Sequence, residues 1–238
     1  EHFIIGSEYW ISEGNIFSVE AYVKDYSNIY DLNPKVEGSD IEGTIALSGI
    51  GRSYGLELMY RLKKDKISGW ISYAYSRIKR EVDLNSDGII WQSKEIYPAK
   101  YDKPHSFNSV LSYQLSEKHE IGLSTIFSSG QTYTPVVGKV HQAGSQSYGS
   151  LENPYYYFGN IYGGKNSGRY PNYFRIDLSL TRKSNLWGLT GKWKFQIINL
   201  TNHYNVLLYN WNHEASPSQV LAYSMFPILV TFGWEFNI

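Results

Sequence analysis

The sequence predicts an all-β chain, the wall of an antiparallel, up-and-down transmembrane β-barrel. Three observations carry that expectation. About nine long stretches alternate apolar and polar residues with a period of two, the mark of strands whose two faces meet different surroundings. Short turns and long loops between these stretches alternate strictly, as the periplasmic turns and extracellular loops of outer-membrane barrels do. Aromatic residues make up 16 % of the 238 residues, with 22 Tyr and 7 Trp, yet no apolar run approaches the ~18 residues that would suggest a transmembrane helix.

Residues 3–12 form the first expected strand, with Phe3, Ile5, Tyr9 and Ile11 on one face, and Glu13-Gly14-Asn15 turns it. The second, 16–30, sets Phe17, Val19, Ala21 and Val23 against Ser18, Glu20, Tyr22 and Lys24, and a polar loop over 31–51 follows. In the third, Tyr54, Leu56, Leu58, Tyr60 and Leu62 oppose Gly55, Glu57, Met59, Arg61 and Lys63. A turn at 64–66 leads to the fourth, 68–81, where Ile71, Tyr73 and Tyr75 share a face and Trp70 and Ile78 blur the alternation. A second long loop covers 82–104. The fifth and sixth strands, 105–115 and 120–133, place Phe107, Leu111, Tyr113, Ile121, Leu123 and Phe127 on apolar faces around a turn at 116–118.

The longest loop, 134–169, is rich in Gly, Ser, Asn and Tyr. The seventh strand, 170–183, sets Phe174, Ile176, Leu178 and Leu180 against Arg175, Asp177, Ser179 and Thr181, and 185–188 turns it. The eighth, 190–204, carries Trp193, Phe195 and Ile197, and a fourth loop covers 210–223. The closing strand, 227–238, has an apolar residue at every even position from Ile228 to Ile238. At about a dozen residues it exceeds the 5–6 typical of a soluble strand and suits the 9–11 of a tilted membrane strand. It runs from a long loop, so the C-terminus is expected in the periplasm.

Composition removes several alternatives. Net charge is zero at pH 7, so nothing points to nucleic acid. With no Cys, a disulfide framework and a thiolate zinc site are excluded. The His residues, at 2, 105, 119, 141, 203 and 213, lack the paired spacing of metal ligands, so no metal or other cofactor is expected. No nucleotide-binding or hydrolase motif stands in its required strand-turn-helix setting, and an enzyme is not expected. Mean hydropathy of −0.37 agrees with a barrel whose lumen and outer loops are polar.

Four segments carry a family resemblance. Gly49-x-Gly51-Arg52-x-Tyr54-Gly55-Leu56-Glu57-Leu58, Tyr97-Pro98-Ala99-Lys100-Tyr101-Asp102-Lys103-Pro104-His105, Arg169-Tyr170-Pro171-x-Tyr173-Phe174-Arg175-Ile176-Asp177-Leu178 and Phe195-x-Ile197-x-Asn199-Leu200-Thr201-Asn202 with Tyr204 resemble strand signatures of TonB-dependent outer-membrane receptors of the Bacteroidetes type. The resemblance implies a 22-strand barrel in a Gram-negative outer membrane, with an N-terminal plug. Such receptors take up a siderophore, vitamin or glycan with energy relayed by TonB. On that reading residues 1–238 are the C-terminal portion of the barrel domain. An odd set of strands does not close neatly alone, and two bare edges in lipid are prohibitively costly. The expected partners are therefore outer-membrane lipid, the plug and N-terminal strands or another completing chain, and the TonB complex acting through an N-terminal region. A passive porin or adhesin-type barrel and a soluble all-β binding protein remain open alternatives.

Two groups of residues are site candidates. Tyr148, Asn153, Tyr155, Tyr156, Tyr157 and Tyr162 place aromatic faces beside amides in the longest loop, which suits sugar or siderophore rings; loop packing or an interfacial girdle is the alternative. Glu57, Arg61, Arg175 and Asp177 stand mid-strand opposite apolar faces and are expected on the lumen wall, where pairing that stabilises the wall is their simplest role. No catalytic residue and no metal ligand is expected.

Overall fold

A computed structural model describes residues 1–32, 45–83, 94–143, 156–186, 188–212, 215 and 219–236. The strands, in chain order, are β1 His2–Ser12, β2 Asn15–Leu32, β3 Ile45–Lys64, β4 Ile67–Asp83, β5 Lys94–Pro98, β6 His105–Gln114, β7 His119–Ser128 and β8 Thr132–Tyr133. They continue as β9 Val136–Ala143, β10 Tyr156–Tyr162, β11 Gly168–Arg169, β12 Tyr173–Leu186, β13 Leu189–Ile198, β14 Val206–Asn212, β15 Gln219–Ser224 and β16 Leu229–Phe236. Nine of them form one antiparallel sheet in the order β1-β2-β3-β4-β6-β7-β12-β13-β16, with β5 added to the far end of β4. The sheet is open: among the described residues β1 and β16 each pair on one side only.

Tight connections tie successive strands at one end. Gly14 turns β1 into β2 at φ +81° and Asp65 turns β3 into β4 at φ +48°, the left-handed conformation that two-residue hairpins require. The first turn is anchored by Asn15, whose amide donates to Ser12 Oγ at 2.6 Å and whose carbonyl oxygen accepts from Lys63 N at 3.2 Å. At the other end the connections are long, and three small sheets stand there: β8 with β11, β9 with β10, and β14 with β15.

Register makes the two faces continuous. One row reads Ser7–Val19–Leu58–Tyr73–Phe107–Phe127–Phe174 and another Leu111–Leu123–Leu178–Ile197–Val230. Opposing side chains in neighbouring strands lie on the same face and stabilise each other pairwise. Trp193 stacks on Phe232 at 5.1 Å and on Trp234 at 5.6 Å between ring centroids. Among the described residues no second layer covers this apolar face: Ile5 is 76 % exposed and Phe232 69 %. Its charged residues stand toward the strand ends, Asp25, Arg52, Arg77 and Lys79 toward the long connections and Lys64 and Arg182 at the short turns.

The opposite face reads Gly6–Glu20–Glu57–Ala74–Ser106–Ser128–Tyr173 and Glu8–Ser18–Met59–Ser72–Asn108–Ile126–Arg175. It is dished, with a groove of about 400 Å³ over Glu8, Glu20, Glu57 and Asn108. Trp70, which blurs the alternation in sequence, lies on this polar face opposite Arg61 and Val110.

The buried residues gather at the long-connection end, not between layers. Val82 and Tyr97 pack there with Ile29 against them, and Asp102, Thr132, Asn199 and Asn205 are buried too.

Several boundaries differ from the sequence expectation. β3 begins at Ile45, so 45–51 is strand, not loop. Up to Gly49 this extension is held by pairing with β2 alone, and β4 joins it from Ile50; Gly49 leaves room for Val82, whose Cγ2 would lie 2.4 Å from an added Cβ. β7 stops at Ser128 rather than at 133, and β12 starts at Tyr173 rather than at 170. Pro171 has no N–H to offer a ladder. β12 also runs on through Leu186, paired with Leu189, where a turn from 185 was expected. β13 ends at Ile198 because Asn199 and Asn202 take φ of 56° and 49°. The second expected loop contains β5 and the third contains β9, β10 and β11; β8 falls at the end of the expected sixth strand, and β14 and β15 overlap the two ends of the fourth loop.

Gly130 marks the tightest approach. A Cβ there would lie 1.7 Å from the Tyr170 carbonyl oxygen, a backbone atom with no rotamer to escape into. Gly130→Ala is expected to destabilise the fold by about 1–3 kcal/mol, the usual cost of overpacking, read as a lowered denaturant midpoint at unchanged slope.

Candidate functional site

Two of the sequence motifs meet at the long-connection end. Asp102 sits on the segment joining β5 to β6, and its side chain is fully buried. Its Oδ1 accepts from Ile78 N at 2.8 Å and from Arg77 Nε at 3.3 Å; its Oδ2 accepts from Arg169 Nη2 at 2.7 Å. Arg169 Nη1 also donates to the carbonyl oxygens of Gly130, at 2.6 Å, and Asp102. One guanidinium thus gathers the 99–104, 129–131 and 168–170 segments, spending its rigid fork of donors as Arg is suited to do. Thr132 Oγ1 donates to the Ala99 carbonyl at 2.8 Å and closes the same knot.

A second pair of motifs meets at the start of β12. Asp177 Oδ1 accepts from Asn199 N at 2.9 Å, and Asn199 Nδ2 donates to the His203 carbonyl at 3.0 Å. Asn205 clamps the Phe174 backbone from both sides, accepting from its N–H and donating to its C=O, each at 2.8 Å. Arg175 pairs with Asp177 at 2.9 Å and donates to Tyr173 Oη at 3.3 Å. These motif residues therefore fasten the wall rather than wait for a ligand.

Beside the knot lies a groove of about 570 Å³, within the range of small-molecule sites. It opens on the polar-face side, since Ser128 and Tyr173, paired with each other on that face, belong to its lining. One wall is Leu207, Leu208 and Met225 from the β14–β15 end; the other holds Tyr133 and Tyr170, with Lys100 and Lys103 on the lining as well. Tyr133, Tyr170 and Tyr209 form a mutual cluster, with centroid separations of 4.6, 4.9 and 5.5 Å. Burial, with Tyr209 and Tyr170 as neighbours, pushes the Tyr133 phenol up, so it remains a neutral donor.

Asp31 ties the long connections to β2. It accepts from Tyr97 Oη at 2.6 Å and pairs with Lys165 Nζ at 3.0 Å and Arg80 Nη1 at 3.1 Å. Burial pushes its carboxyl up, but the bonds from Tyr97, Lys165 and Arg80 outweigh that and hold it below the ordinary carboxylate range. A carboxyl depressed in the folded state contributes stability that is complete above the unfolded value, about 3.9, and is lost as pH falls through the folded value. The stability difference between the native chain and Asp31→Asn is therefore expected to be constant from about pH 8 to 5 and to shrink below about pH 4. Denaturant titrations across that range measure it.

Of the sequence candidates, Tyr148, Asn153 and Tyr155 lie outside the described residues, and Tyr156 and Tyr157 lie on β10, paired with Ala143 and Gln142 of β9. Tyr162 is exposed and its Oη accepts from Asn160 Nδ2 at 3.2 Å. Glu57, Arg61, Arg175 and Asp177 all lie on the polar face, with Glu57 directly opposite Glu20. The Tyr133–Tyr170–Tyr209 cluster was not anticipated. Tyr133 and Tyr170 come from opposite ends of the β7–β12 connection and Tyr209 from the β13–β16 connection, with no shared spacing, although Tyr170 stands inside one of the motif segments.

Comparison of the chain with models of known protein families, with curated proteins and with solved structures finds no match.

Proposed function

We propose that this chain is part of the barrel wall of a TonB-dependent outer-membrane receptor, serving uptake of a siderophore, vitamin or glycan. The observation that carries the membrane part is the apolar face, which runs uncovered across nine strands and bears charge only toward their ends. On β3 the charged brackets Arg52 and Lys64 enclose Tyr54, Leu56, Leu58, Tyr60 and Leu62. Twelve steps at ~3.4 Å, tilted by ~40°, separate the brackets by roughly 31 Å along the membrane normal, enough to flank an apolar band ~25 Å tall. Trp193, Trp234 and Phe236 then belong to the periplasmic girdle, and the small sheets and the knot stand outside the cell.

The receptor part is supported by the four motif segments and by the division of the two faces. A wide lumen accounts for a polar face that is dished and solvent-accessible rather than packed. Completing the wall requires further strands between β16 and β1, since bare edges are not tolerated in lipid.

Topology is the direct test. The native chain has no Cys, so single replacements report cleanly in whole cells. A membrane-impermeant maleimide is expected to label Asn160→Cys from outside and to reach Asp65→Cys only after the outer membrane is permeabilised. Equal labelling of both in intact cells would refute the orientation.

A further inference from the structure

We propose that the groove beside the Asp102–Arg169 knot binds an amphiphilic organic anion, a carboxylate carried on a ring or other compact apolar body. The inference deepens the receptor reading by assigning the ligand's chemistry, and it rests on that reading only for how the ligand arrives.

Charge is the first argument. Among the described residues the groove lining includes Lys100 and Lys103 and no carboxylate. The carboxylate between them in sequence, Asp102, is fully buried and already committed to Arg77, Ile78 N and Arg169. The Lys100 and Lys103 ammonium groups have no hydrogen-bond or ion-pair partner among the described residues, while their carbonyl oxygens are used by Thr132 and Ser76. The third cation nearby, Arg175, is neutralised by Asp177 and touches the groove only through Tyr173 Oη. The site therefore presents two uncompensated positive charges to whatever occupies it.

Shape and polarity supply the second. The lining also includes Leu207, Leu208 and Met225, which are 55, 43 and 38 % exposed, apolar surface that nothing in the described structure covers. Neutral donors and acceptors complete it: Gln131, Thr134 and Asn166. Asn166 is fixed by bonds to Thr134 Oγ1 and the Pro98 carbonyl, both at 3.0 Å. A simple anion would leave the apolar surface wet, and a neutral apolar ligand would leave two ammonium groups without a counter-charge. A carboxylate on an apolar body satisfies both, and the volume of about 570 Å³ accommodates a bicyclic ring or a folded medium chain.

The experiment is calorimetric titration of the complete protein that carries this chain, purified in detergent, with 2-naphthoate and its neutral isostere 2-naphthamide. The acid is expected to bind at least about tenfold more tightly than the amide, as befits a charge-assisted contact, and added salt should narrow the gap. In the double variant Lys100→Gln/Lys103→Gln the preference should fall to within about twofold. The fold should persist, since neither ammonium group has a partner to lose, and circular dichroism checks that. Competition by decanoate against naphthoate separates a chain-like from a ring-like body. Equal affinities for acid and amide, no saturable binding of either, or a preference that survives in the double variant would overturn the proposal. Binding is read on purified protein, so failure here is distinct from failure of the topology experiment.

Discussion

Leu58→Arg is expected to destabilise the completed barrel, assembled in phospholipid vesicles, by about 2–4 kcal/mol, whereas Met59→Arg, one residue further on, should be neutral or mildly stabilising. Leu58 lies midway between Arg52 and Lys64 on the apolar face, opposite Val19 and Tyr73. A guanidinium at the bilayer midplane carries a cost of that size, which falls to about 0–1 kcal/mol near the interface. Leu62→Arg, beside Lys64, should therefore cost much less than Leu58→Arg. Met59 faces the other way, into the groove that holds Glu8, Glu20 and Glu57. Arginine there meets three carboxylates, two of which, Glu20 and Glu57, stand directly opposite each other, an arrangement that favours an added cation. Equilibrium unfolding in urea, followed by the Trp fluorescence, gives both values on one scale. A soluble sheet would reverse the ranking, because a charge at a half-buried, water-facing position costs little.

The second large effect is expected at the Asp102–Arg169 pair. Arg169→Ala leaves a fully buried carboxylate with only Arg77 Nε, at 3.3 Å, as a cation, and it strips a donor from the Gly130 carbonyl. Breaking a buried pair in this way costs about 3–5 kcal/mol. Here the lower end is appropriate, because Arg77 remains. Asp102→Asn keeps the side chain's shape and an acceptor for Ile78 N but removes the charge, so it should cost less than Arg169→Ala. In the double variant the losses should be less than additive, since the two residues share one interaction. Unfolding midpoints of the four proteins complete the cycle. Trypsin cleavage after Lys100 reports whether the knot opens locally before the sheet melts; the Lys103–Pro104 bond resists trypsin.

Much of the sheet was legible in the sequence. Its strands carry one apolar and one polar face, and such contrast writes itself as period-two alternation in residues 54–62 or 228–236. The signal fails where the contrast fails. Residues 45–51 extend β3 beyond the apolar stretch, where neither face needs to be apolar, and they read as loop although they pair with β2. The same holds for β5, β9, β10, β14 and β15, which are held by backbone ladders within the connections. At five to eight residues each, they are too short to show a sustained facial pattern.

The site was legible only in part. Asp102, Arg169, Asp177 and Asn199 stood out in sequence as members of motifs, but nothing in one dimension pairs positions 67 residues apart, as Asp102 and Arg169 are. Their meeting explains the motifs physically: each supplies half of a bond that holds a long connection against the sheet. The tyrosine-rich run at 155–157 drew attention through composition, whereas the tyrosines that cluster are isolated ones, brought together by loop closure.

The central claim is that the apolar face meets lipid and the polar face meets water. Single Cys residues placed in turn at positions 54 to 62 of β3, in membranes, test it most directly. A water-soluble maleimide should label positions 55, 57, 59 and 61 and spare 54, 56, 58, 60 and 62, while a lipophilic maleimide should give the complementary pattern. Uniform labelling of both sets by the water-soluble reagent would contradict the account.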